Sequence, residues 1–324
     1  YVLYQMYSNG AISYDEYQAA LAEHIIFTDS EEYKELHPEE DEDTQIEPDK
    51  PTSWVVDAAI NEFSEVLMDK YGISKKEARS RVNRGGYQIY TTVDLEMQEY
   101  VEGRYQDMNN LLAGMATVQN TAHWRDLNGD GVASEDEAQF LQSGFCAINY
   151  SGEILATVGA IGEKTASLCT SYAYEPQQPG STIKPVTTYG YALSTDYIHW
   201  GTPLRDYPPI KNPATGKLWP TNYSSGGGMS YTGSMKNVYY ALQKSYNTIP
   251  ALLCKELGRI EIYNFATNNL GLELVQNDQD YAPLSVGALT YGVSITNLVN
   301  AYMVYGNGGY YSKAHIISKV ESGD

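Results

Sequence analysis

The run Pro179-Gly180-Ser181-Thr182-Ile183-Lys184-Pro185 constrains this chain more than any other stretch. Gly180 breaks the backbone just before a helix whose first turn carries a serine and a lysine three residues apart. At that spacing two helical side chains share one face, so the Lys184 amine can reach the Ser181 hydroxyl without help from a distant part of the fold. A hydroxyl beside a proton acceptor is an activated nucleophile. Ser181 also lies where helix N–H groups are unsatisfied and the dipole is positive, which favours negative charge developing beside it. Serine is equally an ordinary N-cap residue, so the spacing alone leaves both readings open. Pro185 removes one early helix hydrogen bond, and the expectation is that the Ser181 carbonyl is left free.

A second element, Lys244-Ser245-Tyr246-Asn247, follows in order. S-x-x-K followed by S-x-N is the motif pair of penicillin-binding proteins and serine β-lactamases. Asn247 has a bland role too, as N-cap of a helix through Thr248 to Leu257 that Gly258 ends. The two roles are compatible.

Charge excludes one class of partner. With 21 Lys+Arg against 41 Asp+Glu, the chain carries a net charge of −20, which repels phosphate backbones, so no nucleic-acid role is expected. The acidity is concentrated in Glu31 to Lys50, which reads as a solvated loop or linker. At 324 residues and 42% hydrophobic content, the chain can build one large domain and a smaller one. No apolar run approaches the roughly 18 to 20 residues that cross a bilayer. Cys146, Cys169 and Cys254 are too few and scattered for a disulfide framework, and buried small hydrophobes are their expected role.

Periodicity predicts helices over Ile12 to Ala22, Ser53 to Tyr71 and Ser74 to Asn83, the last opening on a Ser74/Glu77 capping box. Tyr87, Ile89 and Thr91 then alternate as a strand leading into a helix from Asp94. Phe145 to Tyr150 and Glu153 to Ala160 read as strands joined by Ser151-Gly152, a two-residue hairpin signal.

Between them, Asp126 to Glu137 fits D-x-[DN]-x-[DN]-G-x5-E in every fixed position. Asp126, Asn128, Asp130, Val132, Ser134 and Glu137 would supply the oxygens that a hard cation takes, with Gly131 at the sharp turn. Ser134 with Glu137 could instead be a capping box. The expectation is a structural calcium pinning an inserted helix-loop-helix, with no cofactor for catalysis.

The resemblance to a known family extends beyond the two motifs. Gly85-Gly86-Tyr87-Gln88-Ile89-Tyr90-Thr91-Thr92-Val93-Asp94 resembles the segment that enters the transpeptidase part of class A penicillin-binding proteins. Phe145 to Ala160 resembles that family's first hairpin, and Leu289-Thr290-Tyr291-Gly292-Val293-Ser294 with Gly306-Asn307-Gly308-Gly309 its "LT-x-GVS … ANGG" stretch. Tyr1 to Ile25 resembles the helical connector that follows the glycosyltransferase domain in these bifunctional peptidoglycan synthases. No K-T-G or K-S-G follows Asn247, and Val320 to Asp324 lies upstream of that motif in relatives, so truncation before K-T-G is expected. The start, inside a connector and without initiator Met, signal peptide or anchor, points the same way.

The resemblance implies an α+β fold, a serine β-lactamase/transpeptidase-like antiparallel sheet flanked by helices and incomplete at the C-terminus. Residues 1–84 would be the connector following a missing glycosyltransferase domain, and 85–324 the penicillin-binding transpeptidase domain, with an EF-hand-like insertion over 107–142. It implies a D,D-transpeptidase that cross-links peptidoglycan stem peptides through a serine acyl-enzyme and is inhibited by β-lactams. Ser181 would be the nucleophile and Lys184 its base; Ser245 and Asn247 would relay the leaving-group proton and hold the substrate amide. The implied location is the extracytoplasmic face of a bacterial membrane, with an anchor absent from this chain and the cell-wall synthesis machinery as partner. The alternatives are a non-catalytic β-lactam-sensing or wall-binding module, and a serine β-lactamase or D,D-carboxypeptidase.

Overall fold

The computed structural model describes residues 2–9, 11–23, 50–112, 123–124, 138–139, 141–211, 215–223 and 230–322. Contacts group the chain into two units, Tyr1–Lys50 and Pro51–Asp324. The first unit holds the helices Val2–Ser8 and Tyr14–Ala22, where the sequence predicts one from Ile12. Ser13 and Glu16 form a reciprocal capping box, Glu16 N–H to Ser13 Oγ at 3.2 Å and Ser13 N–H to Glu16 Oε2 at 2.7 Å. Tyr7 stacks on Tyr17 with ring centroids 5.3 Å apart. Residues 31–49 of the acidic run lie outside the described residues.

The second unit opens with the Trp54–Tyr71 helix, N-capped by Ser53 and ended by Gly72 at φ +65°, a left-handed position that glycine takes without strain. Ala58 and Ala59 pack with Cys146, Ile154 and Ile316, so this helix, assigned from sequence to the connector, forms one core with the hairpin and the last strand. The Lys75–Arg84 helix follows, with Glu77 N–H donating to Ser74 Oγ at 3.3 Å. The capping box predicted there is only half made. Glu77 turns to Arg81 on the next turn instead, at 2.7 Å, because an ion pair at i, i+4 competes for the carboxylate.

The expected mixture of helices and antiparallel strands is present, but not a continuous sheet. Among the described residues the strands pair two by two. Gln88–Thr91 pairs with Ile317–Glu321, and Phe145–Ile148 with Ile154–Val158. Each ladder carries a register shift, at Tyr90/Thr91 and at Ala147/Ile148, and such bulges bend a strand away from regular pairing. Thr92 N–H to the Ile316 carbonyl extends the first ladder, and two single bonds stitch the ladders together, Asp94 N–H to Leu155 and Ile154 N–H to His315, each at 2.9 Å. The hairpin turn is longer than the two-residue loop predicted. Asn149 accepts from Gly152 N–H at 3.1 Å, Gly152 sits at φ +89°, and Asn149 Oδ1 takes the N–H groups of Ser151 and Glu153. An Asx side chain that satisfies the turn's own donors favours this wider loop with a glycine bulge.

His123–Trp124 pairs antiparallel with Ala138–Gln139. These residues bracket the calcium-type loop, and they are extended where a helix-loop-helix would need them helical. Asp126, Asn128, Asp130, Val132, Ser134 and Glu137 themselves lie outside the described residues. Of the cysteines, Cys146 and Cys254 are buried as expected, whereas Cys169 is exposed; all three are free. No helix among the described residues is long and apolar enough to cross a membrane.

One buried carboxylate ties the start of the second unit to a distant loop. Asp57, 4% exposed, accepts from Leu168 N–H at 2.7 Å, from Thr52 Oγ1, and from Lys164 Nζ at 2.9 Å. Removing one partner of a buried pair leaves the other charged and unpaired. Asp57→Ala is therefore expected to destabilise the second unit by about 3 kcal/mol, measured by denaturant unfolding; a change within 0.5 kcal/mol, roughly the surface norm, would sink this reading.

Candidate functional site

The Ser181 segment folds as a 3-10 helix over Gly180–Val186, not as the start of an α-helix. With three residues per turn, positions i and i+3 eclipse, which stacks Ser181 one turn from Lys184, whose amine bonds to Ser245, Tyr246 and Asn247 rather than to the Ser181 hydroxyl. Ser181 is exposed and Lys184 is 1% exposed. Ile183 and Val186 are fully buried with Leu289, Val293 and Ala301, and burying such side chains contributes about 1.5–3 kcal/mol each. The helix is thus anchored by its apolar side while Ser181 faces out. The N-cap position is Pro179, which has no side-chain bond to give, so the capping reading of Ser181 fails.

The approach to Ser181 is clamped by the Leu289–Val293 segment. Gln177 and Val293 exchange backbone bonds at 3.0 and 2.9 Å, and the Gln178 amide exchanges bonds with the Leu289 backbone at 2.7 and 2.9 Å. Two glycines permit this approach. A Cβ on Gly287, at φ +77°, would stand 2.1 Å from the Gly180 carbonyl, and one on Gly292, at φ +91°, 2.3 Å from that of Gln177.

The second motif surrounds the lysine. Lys184 Nζ lies 2.7 Å from Asn247 Oδ1, 3.0 Å from the Ser245 carbonyl, 3.1 Å from the Tyr246 carbonyl and 3.3 Å from Ser245 Oγ. Local backbone chemistry makes this cluster. The Val238–Gln243 helix ends in a double-bonded cap, Ser245 N–H to Leu242 and Tyr246 N–H to Ala241, both 2.9 Å. That is a Schellman arrangement, whose C′ residue is left-handed and usually glycine. Here it is Ser245, at φ +52°. A strained non-glycine residue at a functional position is kept for its side chain.

The next helix runs Thr248–Leu257 and ends at Gly258, with the predicted bounds. Asn247 does not cap it through its side chain, contrary to expectation. Its Oδ1 faces Lys184, and its Nδ2 donates to the Thr221 carbonyl at 2.9 Å. Asn222 supplies the cap instead, its Oδ1 accepting from Asn247 N–H at 2.8 Å and Thr248 N–H at 3.2 Å. Asp206, fully buried, fixes that amide by accepting from Asn222 Nδ2 at 2.8 Å, and also accepts from Thr248 Oγ1 at 2.7 Å and from Thr232 N–H and Oγ1. Burial pushes the Asp206 carboxyl up, but these donors outweigh it and hold it below the usual range. Sequence reasoning missed Asp206 and Asn222. Asp206 lies between Pro203 and Pro208 and Asn222 follows Pro220, both in turn-like runs, but nothing in their spacing pairs them with Asn247.

The structure therefore brings Lys184, Ser245 and Asn247 into contact and sets Ser181 one turn away. Burial lowers the Lys184 amine from 10.5 to about 8. As an ammonium its three N–H groups match three obligatory acceptors, the carbonyls of Ser245 and Tyr246 and Asn247 Oδ1. As a neutral amine it keeps a lone pair, which can take a proton from a hydroxyl at the mouth of the pocket. Among the described residues Ser181 Oγ is bonded to no other group, so it is free to turn toward that amine.

Comparison with known proteins supplies the family and the fold. The family model "Penicillin binding protein transpeptidase domain" matches residues 145–323. "Penicillin-binding protein 1A" of Clostridium botulinum strain Hall is 26% identical over 98% of this chain and 35% of that protein, and its namesake in Clostridium acetobutylicum 28% over 98% and 37%. The chain thus spans little more than a third of their length. Among solved structures, the penicillin-binding protein PonA1 from Mycobacterium tuberculosis superposes with a TM-score of 0.56 at 18% identity, covering 82% of this chain and 61% of that one. Penicillin-Binding Protein 1A from Haemophilus influenzae gives 0.55 at 20%, covering 99% and 53%. At these identities the superpositions speak for the fold.

Two substitutions test the backbone reading. Ser245→Gly removes the strain of a left-handed serine and is expected to raise stability by about 1 kcal/mol, or roughly 2–4 °C in Tm. Gly287→Ala, which must push against the Gly180 carbonyl, is expected to lower it by more than about 1 kcal/mol. Opposite signs in thermal unfolding would contradict both.

Proposed function

Because the chain belongs to the penicillin binding protein transpeptidase domain family, we propose that it is a class A member, like the penicillin-binding proteins 1A it resembles, and carries the acyl-transfer site of a peptidoglycan D,D-transpeptidase. The observation that carries this reading is the fully buried Lys184 amine, held by Ser245 and Asn247 and one 3-10 turn from an exposed Ser181.

Neutral Lys184 takes the Ser181 proton as Ser181 Oγ attacks the carbonyl that joins the two D-alanines of a stem peptide. The Ser181 N–H supplies half of an oxyanion hole for the charge that develops. As the C–N bond breaks, the proton on Lys184 passes through the Ser245 hydroxyl to the departing D-alanine nitrogen, and Ser181 retains the acyl group. Asn247 holds Lys184 through Oδ1 and stands where it can meet the substrate amide. An amine from a neighbouring stem peptide then attacks the ester; Ser181 recovers its proton and a cross-link results. A β-lactam would be opened by the same attack and retained on Ser181. PonA1 from Mycobacterium tuberculosis has been solved in complex with penicillin V, which supports that expectation. The substrate implies work at the extracytoplasmic face of a bacterial membrane, beside the cell-wall synthesis machinery. A structural calcium at Asp126 to Glu137 remains part of the proposal and plays no catalytic step. A wall binder would need no buried base, so Lys184 favours an acylating site; a β-lactam sensor would share the acylation step without turnover, and β-lactamase or carboxypeptidase action would have water resolve the ester.

Fluorescent penicillin is expected to label the native full-length protein stoichiometrically, and Ser181→Ala to abolish the label. Labelling that survives in the variant overturns the assignment. The pH dependence follows from Lys184, whose depressed value favours the neutral form in the fold. Its contribution to stability is present above the unfolded value of 10.5 and is lost as pH falls through about 8. Because the neutral amine is the base, the acylation rate should climb as pH rises through about 8; a rate flat between pH 6 and 9, roughly the window around that value, contradicts it.

A further inference from the structure

Pro185 has no N–H to give. In the i→i+3 pattern of the Gly180–Val186 helix, the donor to the Thr182 carbonyl would be residue 185. That carbonyl accepts instead from the Tyr302 hydroxyl at 2.5 Å. The free carbonyl expected from sequence thus falls on Thr182 rather than Ser181, because the helix is 3-10, and it is not left free. A second break follows at Thr187, whose φ of −121° and ψ of −98° leave the helical region before an α-helix resumes at Thr188. There the Tyr305 hydroxyl donates to the Pro185 carbonyl, also at 2.5 Å. Tyr302 ends the Ile295–Tyr302 helix and Tyr305 the short 3-10 turn after it, with ring centroids 6.2 Å apart. Burial pushes both phenols up to about 12, so both remain donors across the working range.

The helix form matters to the chemistry. At 3.6 residues per turn, Lys184 would lie roughly 60° around the axis from Ser181; at three per turn it lies directly beneath. Resting on the acyl-transfer reading above, we propose that Tyr302 is a positioning residue: its hydroxyl replaces the N–H that Pro185 lacks and holds the Ser181–Lys184 turn in its 3-10 form, with Tyr305 bracing the break that follows. Pro185 withholds its N–H from both forms, from the Ser181 carbonyl of an α-helical turn and from the Thr182 carbonyl of a 3-10 turn, and Tyr302 makes good only the second.

The test is a cycle in the native full-length protein, reading the rate at which fluorescent penicillin labels Ser181 together with thermal unfolding. Tyr302→Phe deletes only the hydroxyl and is expected to slow labelling about tenfold. Pro185→Ala restores a backbone donor, so in that background Tyr302→Phe should cost less than about twofold. Equal losses in both backgrounds, or wild-type labelling by Tyr302→Phe alone, overturns the proposal. If Tyr302→Phe unfolds the protein, the double variant decides: regained folding and labelling supports the substitution of one donor for another, and continued loss overturns it. Failure of the wild-type protein to label at Ser181 sinks the acyl-transfer reading instead, so the two failures are distinct.

Discussion

The site depends on one amine buried among oxygens. Lys184 is 1% exposed, and a lone buried ammonium would be costly to desolvate. Four oxygens of Ser245, Tyr246 and Asn247 within 3.3 Å offset that cost, and the residual penalty appears as a lowered pKa. That penalty is useful, since it brings the amine near the pH at which a general base works best. The rest of the unit can be understood as what keeps these oxygens in place.

Three supports converge there, each on backbone. Behind the second motif, the Asp206–Asn222–Asn247 chain of hydrogen bonds holds the Asn247 backbone N–H, and the Thr221 carbonyl holds the side-chain amide whose Oδ1 faces Lys184. Beneath it, a helix end normally given to glycine is given to Ser245, so a hydroxyl stands where none would ordinarily fit. On the nucleophile's side, glycines at 287 and 292 let a neighbouring segment press against Gln177–Gly180. A shared core of Tyr189, Ala192, Val238, Ala241, Ile249 and Leu253 joins the helix after the nucleophile to both helices that flank the second motif. Close packing of this kind passes a small displacement at one motif on to the other.

Much of this was legible in the sequence, for identifiable reasons. The Thr248–Leu257 bounds followed from an Asx residue and a glycine at its ends, and the Ser181–Lys184 pair from spacing alone. What spacing could not give is which helix type the segment adopts, since three residues apart means one face in either. Nor could it show that Asn222, not the Asn247 side chain, caps the helix, because that depends on a buried aspartate distant along the chain. The capping box at Ser74 was only half made because Glu77 had a competing Arg81 one turn on. Long-range hydrogen bonds decided these cases, and they leave no local pattern.

The most direct test is an NMR titration that follows the Lys184 side chain, selectively labelled at Cε, in the folded protein. A midpoint near 8 is the result expected of an amine buried against Ser245 and Asn247. A midpoint at the ordinary lysine value of 10.5 would mean that the amine is solvated, and would contradict its role as the base for Ser181.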